Sequence, residues 1–401
     1  MSLFALQVIL VAGAVQGLLL SAILFTRKKN VLANRLLSML ILLVSFQSVL
    51  AGFDTREFFM AFPHLSKVGW LLPSLFGPLL FLFTKKLTSE NPAWRRYEWL
   101  HFTPFFLIFL YLLPYYLQSA EAKMAYLDDF EKASEDDFGM LNQLLNLLHL
   151  SYGLAALLLI RRHEQRILHN FSEIRKVRLR WLKQFIRLVF FTILFGVTIF
   201  YARKWDLPFL TGFYHYHYLG VIICIYWIGY KALSQPAIFQ RSLALTAVPR
   251  TAVVPEPEAT EDTAPPVAVS AKYERSGLSE AAVDAYLLQL LEYMQEQKPY
   301  RNSDLTIQEL AEAMGMAKHH LSRVINERLG KNFFEFVNEY RVNEAKRLLV
   351  HPDFSHYTTL AIAMEAGFNS KATFNAVFKK LTAMTPTAYA AQEKASAAHP
   401  A

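Results

Sequence analysis

Residues 305–328, LTIQELAEAMGMAKHHLSRVINER, decide how this chain is read, because their apolar residues recur at the spacing of two short helices meeting at a sharp turn. Thr306 stands where it can cap the first helix. Ile307, Leu310, Ala311 and Met314 give that helix one buried face, and Gln308, Glu309 and Glu312 fall outside it. Gly315 follows at once, where a left-handed residue ends a helix, and Ala311 is small enough for a second helix to approach closely. Met316, Leu321, Val324 and Ile325 make the inner face of the second helix, which leaves Lys318, His319, His320, Ser322, Arg323 and Asn326 pointing outward. A hairpin with a glycine turn and a polar, cation-bearing outer face is the helix-turn-helix pattern for major-groove reading.

An ordinary helical hairpin with solvated charges has the same pattern, and repetition separates the two. Ala363 and Gly367 repeat the Ala311 and Gly315 spacing 52 residues later, with Ile362, Ala366 and Phe368 matching Leu310, Met314 and Met316. The copy is imperfect, since Phe374 lies seven residues past its glycine where Leu321 lies six past.

The run AMEAGFNSKATFNAVFKKLTAMTPTAYA, Ala363 to Ala390, resembles the carboxy-terminal signature of AraC/XylS-type transcription regulators: a Gly-Phe, an aromatic, a Phe-Lys-Lys, then a Thr-Pro and a Tyr. The first hairpin with its downstream NFFEFVNEYRVNEAKRLL is similar to that family's upstream half and connecting helix. The resemblance covers roughly Leu278 to Tyr389, under a third of the chain. It departs from the family at Ala376 and Ala390, where Arg is usual, and at Ala383, where Gly is usual.

The resemblance implies a regulator that binds double-stranded promoter DNA and works with RNA polymerase, with the second helix of the first hairpin in the major groove. His319, Ser322 and Arg323 are then the expected base readers. By chemistry alone, Arg323 can bond a guanine bidentately, Asn326, His319, His320 and Ser322 can reach base edges or phosphates, and Lys318 suits a phosphate. The second hairpin offers Lys371, Thr373 and Asn375 beside Ala372 and Ala376. Being poorer in donors, it is expected to hold the DNA backbone, through Lys379 and Lys380. Phe334 to Val350 joins the halves, with Phe336, Val337, Tyr340, Ala345 and Leu348 spaced for burial. At 1.5 Å per residue such a helix spans ~25 Å, a strut able to set two reading helices roughly one duplex turn, ~34 Å, apart.

The rest of the chain is of another kind. At 401 residues, 54% hydrophobic, 18% charged and with 32 Phe, it is too apolar for an ordinary soluble protein, which excludes a soluble enzyme. Seven apolar runs of 17 to 23 residues occupy the first 233: Leu3–Phe25, Val31–Phe53, Lys67–Phe83, Leu100–Leu117, Phe138–Ile160, Phe185–Ala202 and Phe213–Leu233. Each is long enough to cross a hydrocarbon core of ~30 Å as a helix. The third and fourth are interrupted by Pro73, Pro78, Pro104 and Pro114. No cation precedes the first run, and Arg27, Lys28 and Lys29 follow it, which is not the order of a cleaved signal peptide.

Loop charge orients the runs. The first, third and fifth loops carry three, four and eight Lys plus Arg, and the others one or two each. The fourth, Gln118 to Asp137, is acidic. Cytoplasmic loops are rich in Lys and Arg, so the amino terminus is expected outside and the carboxy terminus in the cytoplasm, across a bacterial inner membrane. From Tyr273 onward there are 14 Lys plus Arg against 15 Asp plus Glu, so the whole chain's +8 comes from the membrane part. Ser242 to Lys272 holds five prolines and no apolar periodicity, as a flexible linker does. From Ser279 the helical pattern resumes, with Val283, Leu287, Leu290, Leu291 and Met294 on one face.

The expected architecture is therefore all-α: a seven-pass membrane domain over 1–241, a linker over 242–272, and a double helix-turn-helix domain over 273–401. The spans offer no catalytic set. His149 lies in the fifth, and FYHYHY, Phe213 to Tyr218, opens the seventh with His215 and His217 two apart, which do not share a helix face. A single cysteine, Cys224, supports neither a disulfide framework nor a metal cluster. Gln7, Gln16, Gln47, Asn142 and Asn146 read as helix-to-helix hydrogen bonds. No span has Asp or Glu near its centre, against ion coupling. The functional expectation is a membrane-bound one-component regulator, without metal or cofactor, whose spans sense an unknown ligand or membrane partner; a homodimer is compatible with it, and the sequence does not fix the oligomeric state. The competing class is a multi-pass transporter or membrane enzyme with a DNA-binding tail.

Overall fold

The computed structural model of the protein describes residues 3–28, 30–89, 92–174, 179–213, 216–234 and 279–398. The linker expected at 242–272, together with Tyr214 and His215, lies outside these residues. Among them the chain is helical and has no β-strand, its one bridge pairing Phe171 with Thr306. It divides into two compact units, 1–162 with 179–249, and 163–178 with 250–401.

The first unit holds α1 (Leu3–Phe25), α2 (Val31–Gly52), α3 (Arg56–Ala61), α4 (Val68–Leu71), α5 (Phe76–Thr88) and α6 (Thr103–Tyr116). After them come α7 (Ala120–Asp128), α8 (Phe130–Asp137), α9 (Met140–Asn170), α10 (Arg180–Lys204), α11 (Pro208–Thr211) and α12 (His217–Ser234). The last residues of α9, from His163, belong to the second unit. Among the described residues six helical stretches are long and apolar enough to cross a membrane, and α12 is not one of them. The seventh expected run is helical as α12, 18 residues long.

Of the four prolines expected to interrupt the runs, Pro78 lies in the first turn of α5 and Pro114 inside α6, and neither breaks its helix. Pro73 sits in a 3-10 turn, Leu72–Leu75, that divides the third run between α4 and α5. Pro104 falls in the first turn of α6, where its missing N–H costs nothing. The acidic fourth loop is not irregular: α7 and α8 are capped by Ser119 and Asp129, which accept from the backbone N–H groups of Ala122 and Lys132.

Polar groups inside this unit are largely paired. The Ser21 and Ser38 hydroxyls of α1 and α2 lie 2.9 Å apart, and each reaches the other's carbonyl. Gln7 Nε2 donates to the Gly52 carbonyl at 3.0 Å, as a helix-to-helix bond should. Asn146 departs from that expectation, since its Nδ2 is buried with no hydrogen-bond partner.

The second unit holds α13 (Glu280–Glu296), α14 (Ile307–Ala313), α15 (Lys318–Leu329), α16 (Phe333–Val350), α17 (Thr359–Glu365), α18 (Lys371–Thr382) and α19 (Pro386–Ala398). Its core is in two parts that share α16. Phe333, Phe336 and Val337 pack with the α13–α15 residues, and Val342, Ala345, Leu348 and Leu349 pack with those of α17 and α18. The strut therefore begins one residue before the expected Phe334 and belongs to both halves. The sequence reading named no helix after the Thr-Pro. α19 forms there, and its Tyr389 ring lies 5.6 Å from Phe378.

Candidate nucleic-acid interface

The first hairpin is built from local rules. Thr306 caps α14 by accepting from the Glu309 N–H at 3.2 Å, and the Glu309 carboxylate accepts from the Thr306 N–H at 2.8 Å, closing a capping box. Gly315 turns with φ 66°, a left-handed conformation that suits glycine. Ile307, Leu310, Ala311, Leu321, Val324 and Ile325 are all buried, so the two helices are locked by the face the spacing predicts.

On α15, Lys318 and His319 are exposed, and His320, Ser322 and Asn326 are half-buried. The His320 ring stacks over Tyr286 at 6.1 Å, and burial, with His319 and Arg323 nearby, holds its pKa below the usual imidazole value. Asn326 Nδ2 donates to Ser322 Oγ at 3.2 Å.

Arg323 corrects the outward face as first read, since its exposure is only 9%. Its Nε donates to Glu327 Oε2 at 2.8 Å and its Nη2 to Glu280 Oε1 at 3.4 Å. The reason is electrostatic: Glu280 opens α13 and Glu327 lies one turn further along α15, so two carboxylates draw the guanidinium down against the domain. Arg328 is held likewise, by Glu280 and by Asp284 at 2.7 Å.

The second hairpin repeats the build. Ser370 caps α18 through the Thr373 N–H at 3.4 Å. Gly367 turns with φ 94°, and a Cβ there would lie 2.3 Å from the Tyr300 carbonyl oxygen. Lys371, Asn375, Lys379 and Lys380 are exposed and Thr373 is half-buried. Lys380 pairs with Glu335 of α16 at 2.9 Å, which is the main cause holding that carboxyl below its ordinary range. No hydrogen bond or ion pair among the described residues engages Lys318, Lys371 or Lys379.

The two halves meet at a residue that the sequence reading did not name. Arg341 of α16 is 1% exposed. Its Nε donates to the Tyr300 carbonyl at 2.7 Å and its Nη2 to the Asn302 carbonyl at 2.8 Å. It also donates to Ser172, through Nη1 to the carbonyl at 3.3 Å and Nη2 to Oγ at 3.0 Å. Its guanidinium lies 5.8 Å from the Phe368 ring centroid. Burial pulls its pKa down to about 10, with Glu173 and Asp304 opposing. Ser172 is further fixed by donating from N and Oγ to the Leu305 carbonyl at 3.2 and 2.6 Å, and by accepting from Asn338 Nδ2 at 3.0 Å.

Among the described residues, no group of His, Cys, Asp and Glu is arranged to hold a metal.

Comparison with known proteins bears on this unit. Residues 310–392 match the family described as a helix-turn-helix domain. An uncharacterized HTH-type transcriptional regulator of Staphylococcus aureus strain COL is 39% identical over 88 residues, which are 22% of this chain and 11% of that protein. Its counterpart in strain MRSA252 has the same identity and coverage. The probable transcription factor PqrA of Proteus vulgaris is 36% identical over 89 residues, 22% of this chain and 70% of that protein. The chain thus spans only 11% of the length of the staphylococcal relatives. No solved structure matches. With two capped hairpins on one strut, and with most of the Proteus factor covered by its sequence, the chain belongs to the AraC/XylS-type helix-turn-helix transcription regulators.

Proposed function

We propose that the protein is a membrane-bound one-component transcription regulator, which binds promoter DNA sequence-specifically through both hairpins and receives its signal through the first unit. The observation that carries the DNA-binding half is the pair of open faces on α15 and α18, with Lys318, Lys371 and Lys379 uncommitted. Such lysines suit phosphates, while His319, His320, Ser322 and Asn326 suit base edges, with Thr373 and Asn375 adding a weaker second reading face. Arg323 and Lys380, held by carboxylates, reach DNA only by exchanging those partners for it. RNA polymerase and a second copy of the chain are further partners compatible with the reading, which one chain with two hairpins satisfies without the second copy.

The membrane half rests on the six long apolar stretches and on what they expose. Leu107 and Leu110 on one such stretch and Phe191 on another are 62%, 61% and 67% exposed, where lipid is the fitting neighbour. The proposed partition is 1–241, 242–272 and 273–401, with one amendment: residues 163–178 of the fifth loop group with the second unit. That membership supports the cytoplasmic orientation, since the loop richest in Lys and Arg and the carboxy-terminal domain then share one side of the bilayer. We infer that input passes through this loop, in which Ser172 is bonded to Arg341.

The test combines cell fractionation with genome-wide mapping of crosslinked sites. The full-length chain is expected in the membrane fraction while discrete sites are occupied. A soluble carboxy-terminal fragment that carries the DNA contacts would contradict tethering, and a reporter placed after residue 392 that reads the far side would contradict the orientation.

A further inference from the structure

The first unit encloses a cavity of about 420 Å³ among α2, α4, α8, α9, α10 and α12. That is within the ~300–1,000 Å³ common for small-molecule sites. Its inner end, at His149, Thr192 and Tyr218, is shared with a second, apolar space of about 160 Å³ that reaches Leu37, Leu80 and Ile228.

Most polar groups in the wall are engaged. Lys67 Nζ pairs with Asp136 at 3.0 Å and lies over the Trp70 and Tyr126 rings at 4.6 and 4.1 Å. His149 Nε2 lies 2.7 Å from the Pro73 carbonyl, and Asn142 Nδ2 donates to the Asp137 carbonyl at 2.9 Å. The Arg203 guanidinium lies 5.7 Å from the Phe138 ring centroid.

Three wall groups differ, the first being Gln47 of α2, whose Oε1 is buried with no hydrogen-bond partner. Asp137, the last residue of α8, is exposed, and among the described residues nothing donates to its carboxylate. Asn146, on α9, has a buried Nδ2 with no partner. Asp137 and Gln47 Oε1 are acceptors and Asn146 Nδ2 is a donor, so a single ligand that carries N–H groups and an oxygen completes all three. Asp137 ends α8 and Asn146 lies six residues after the first residue of α9, so the ligand reaches groups on two successive helices. Phe59, Trp70, Phe138 and Phe200 offer rings to the body between them.

Charge selects the sign of the ligand. Asp54 lines the same wall as Asp137, with Arg203 as the opposing cation. Lys67 is already neutralised by Asp136. The 118–137 segment that borders the cavity carries seven carboxylates against two lysines, a field that gathers cations.

We propose that this cavity is the stimulus site and that it takes a small organic amine, the ammonium paired with Asp137 and an oxygen of the ligand accepting from Asn146. The assignment rests on reading the first unit as the input domain.

The test uses the full-length chain in lipid nanodiscs, with tyramine, phenethylamine and spermidine as amine probes and 4-hydroxyphenylacetate as the anionic one. Binding is read by calorimetry and by quenching of tryptophan fluorescence, Trp70 being in the wall. Tyramine should bind saturably and the anion should not. Asp137→Asn, which is isosteric, should weaken every amine by roughly tenfold or more, the usual scale for a lost charge-assisted bond. Asn146→Leu should weaken tyramine and leave phenethylamine, which has no oxygen, unchanged. No saturable binding of any amine, equal binding of the anion, or indifference to Asp137→Asn would each overturn the proposal. DNA binding measured on the same nanodiscs separates the two ideas: failure of the amines with DNA binding intact removes the cavity assignment alone, and amine binding that leaves DNA affinity unmoved removes the input reading.

Discussion

Arg341, at the middle of the strut, donates to both the carbonyl and the hydroxyl oxygen of Ser172, a residue 169 positions earlier in the chain. The guanidinium is buried, and its other partners are the backbone carbonyls of Tyr300, Asn302 and Ser303 and the Asn338 side-chain oxygen. A charge in that setting is tolerated only because its donors are filled. Ser172 is therefore part of what completes the core of the DNA-binding unit, in addition to being a loop residue between two apolar helices.

Arg341→Met leaves those carbonyls without a donor and should destabilise the second unit by ~2–4 kcal/mol, whereas Ser172→Ala, which removes one hydroxyl, should cost ~1 kcal/mol. Hydrogen exchange checks the cause. Amides of residues 167–173 should exchange faster in Arg341→Met, and unchanged protection there would mean the segment is held by something else.

The two glycine-like turns of the second hairpin should respond in opposite senses. Gly367→Ala drives a Cβ into the Tyr300 carbonyl and should cost ~2 kcal/mol or more. Ala383 holds φ 61°, a left-handed conformation that disfavours a side chain, so Ala383→Gly should stabilise by roughly 0.5–1 kcal/mol. Chemical denaturation followed by circular dichroism measures both.

Glu280 is the carboxylate that Arg323 and Arg328 share, so Glu280→Gln should leave Arg323 with Glu327 and Arg328 with Asp284, and raise affinity for any duplex, with a steeper salt dependence. Arg323→Ala should lower specific affinity by ~1–3 kcal/mol, and Lys379→Ala should weaken all sequences alike and reduce the salt slope by about 1. Gel-shift titrations over a range of salt decide these. An Arg323→Ala protein with unchanged affinity would remove that residue from recognition, direct or indirect.

Glu344 supplies a pH dependence. Hydrogen bonds from Arg347 and then Arg301 hold its carboxyl at about 2, below the ordinary 4.5. A depressed acid contributes stability that is fully present above its unfolded value and is lost as pH falls toward its folded one. The second unit should therefore lose stability between about pH 4.5 and 2. Glu344→Gln should flatten that part of the curve, and an unaltered acid limb would assign it to other carboxylates.

The hairpins were legible because their determinants are local. Thr306, Gly315, Ala311 and their repeat obey spacing rules that hold in any context, and the strut was found within one residue. Arg323 was misplaced because helical spacing alone puts it on the rim of the outer face, while the carboxylate that draws it inward, Glu280, is 43 residues away. Arg341 carried a signal that went unused: it falls four residues after Val337 and four before Ala345, on the buried face of α16, where an unpaired cation is not stable. Its partner Ser172 carried none, since nothing in a serine of a basic loop marks a contact 169 residues distant. Asn146 was read as a helix-to-helix bond by its residue type, and only the packing of α9 leaves its amide without a partner.

Selection of bound duplexes from a random pool, by the full-length protein in nanodiscs at fixed salt, tests sequence-specific reading by the two hairpins most directly. The account predicts enrichment of a two-part site whose halves lie about one helical turn, ~10 base pairs, apart, with the stronger half altered by Ser322→Ala or His319→Ala. A pool that remains random after repeated rounds, or a single-part site that those substitutions leave unchanged, would contradict it.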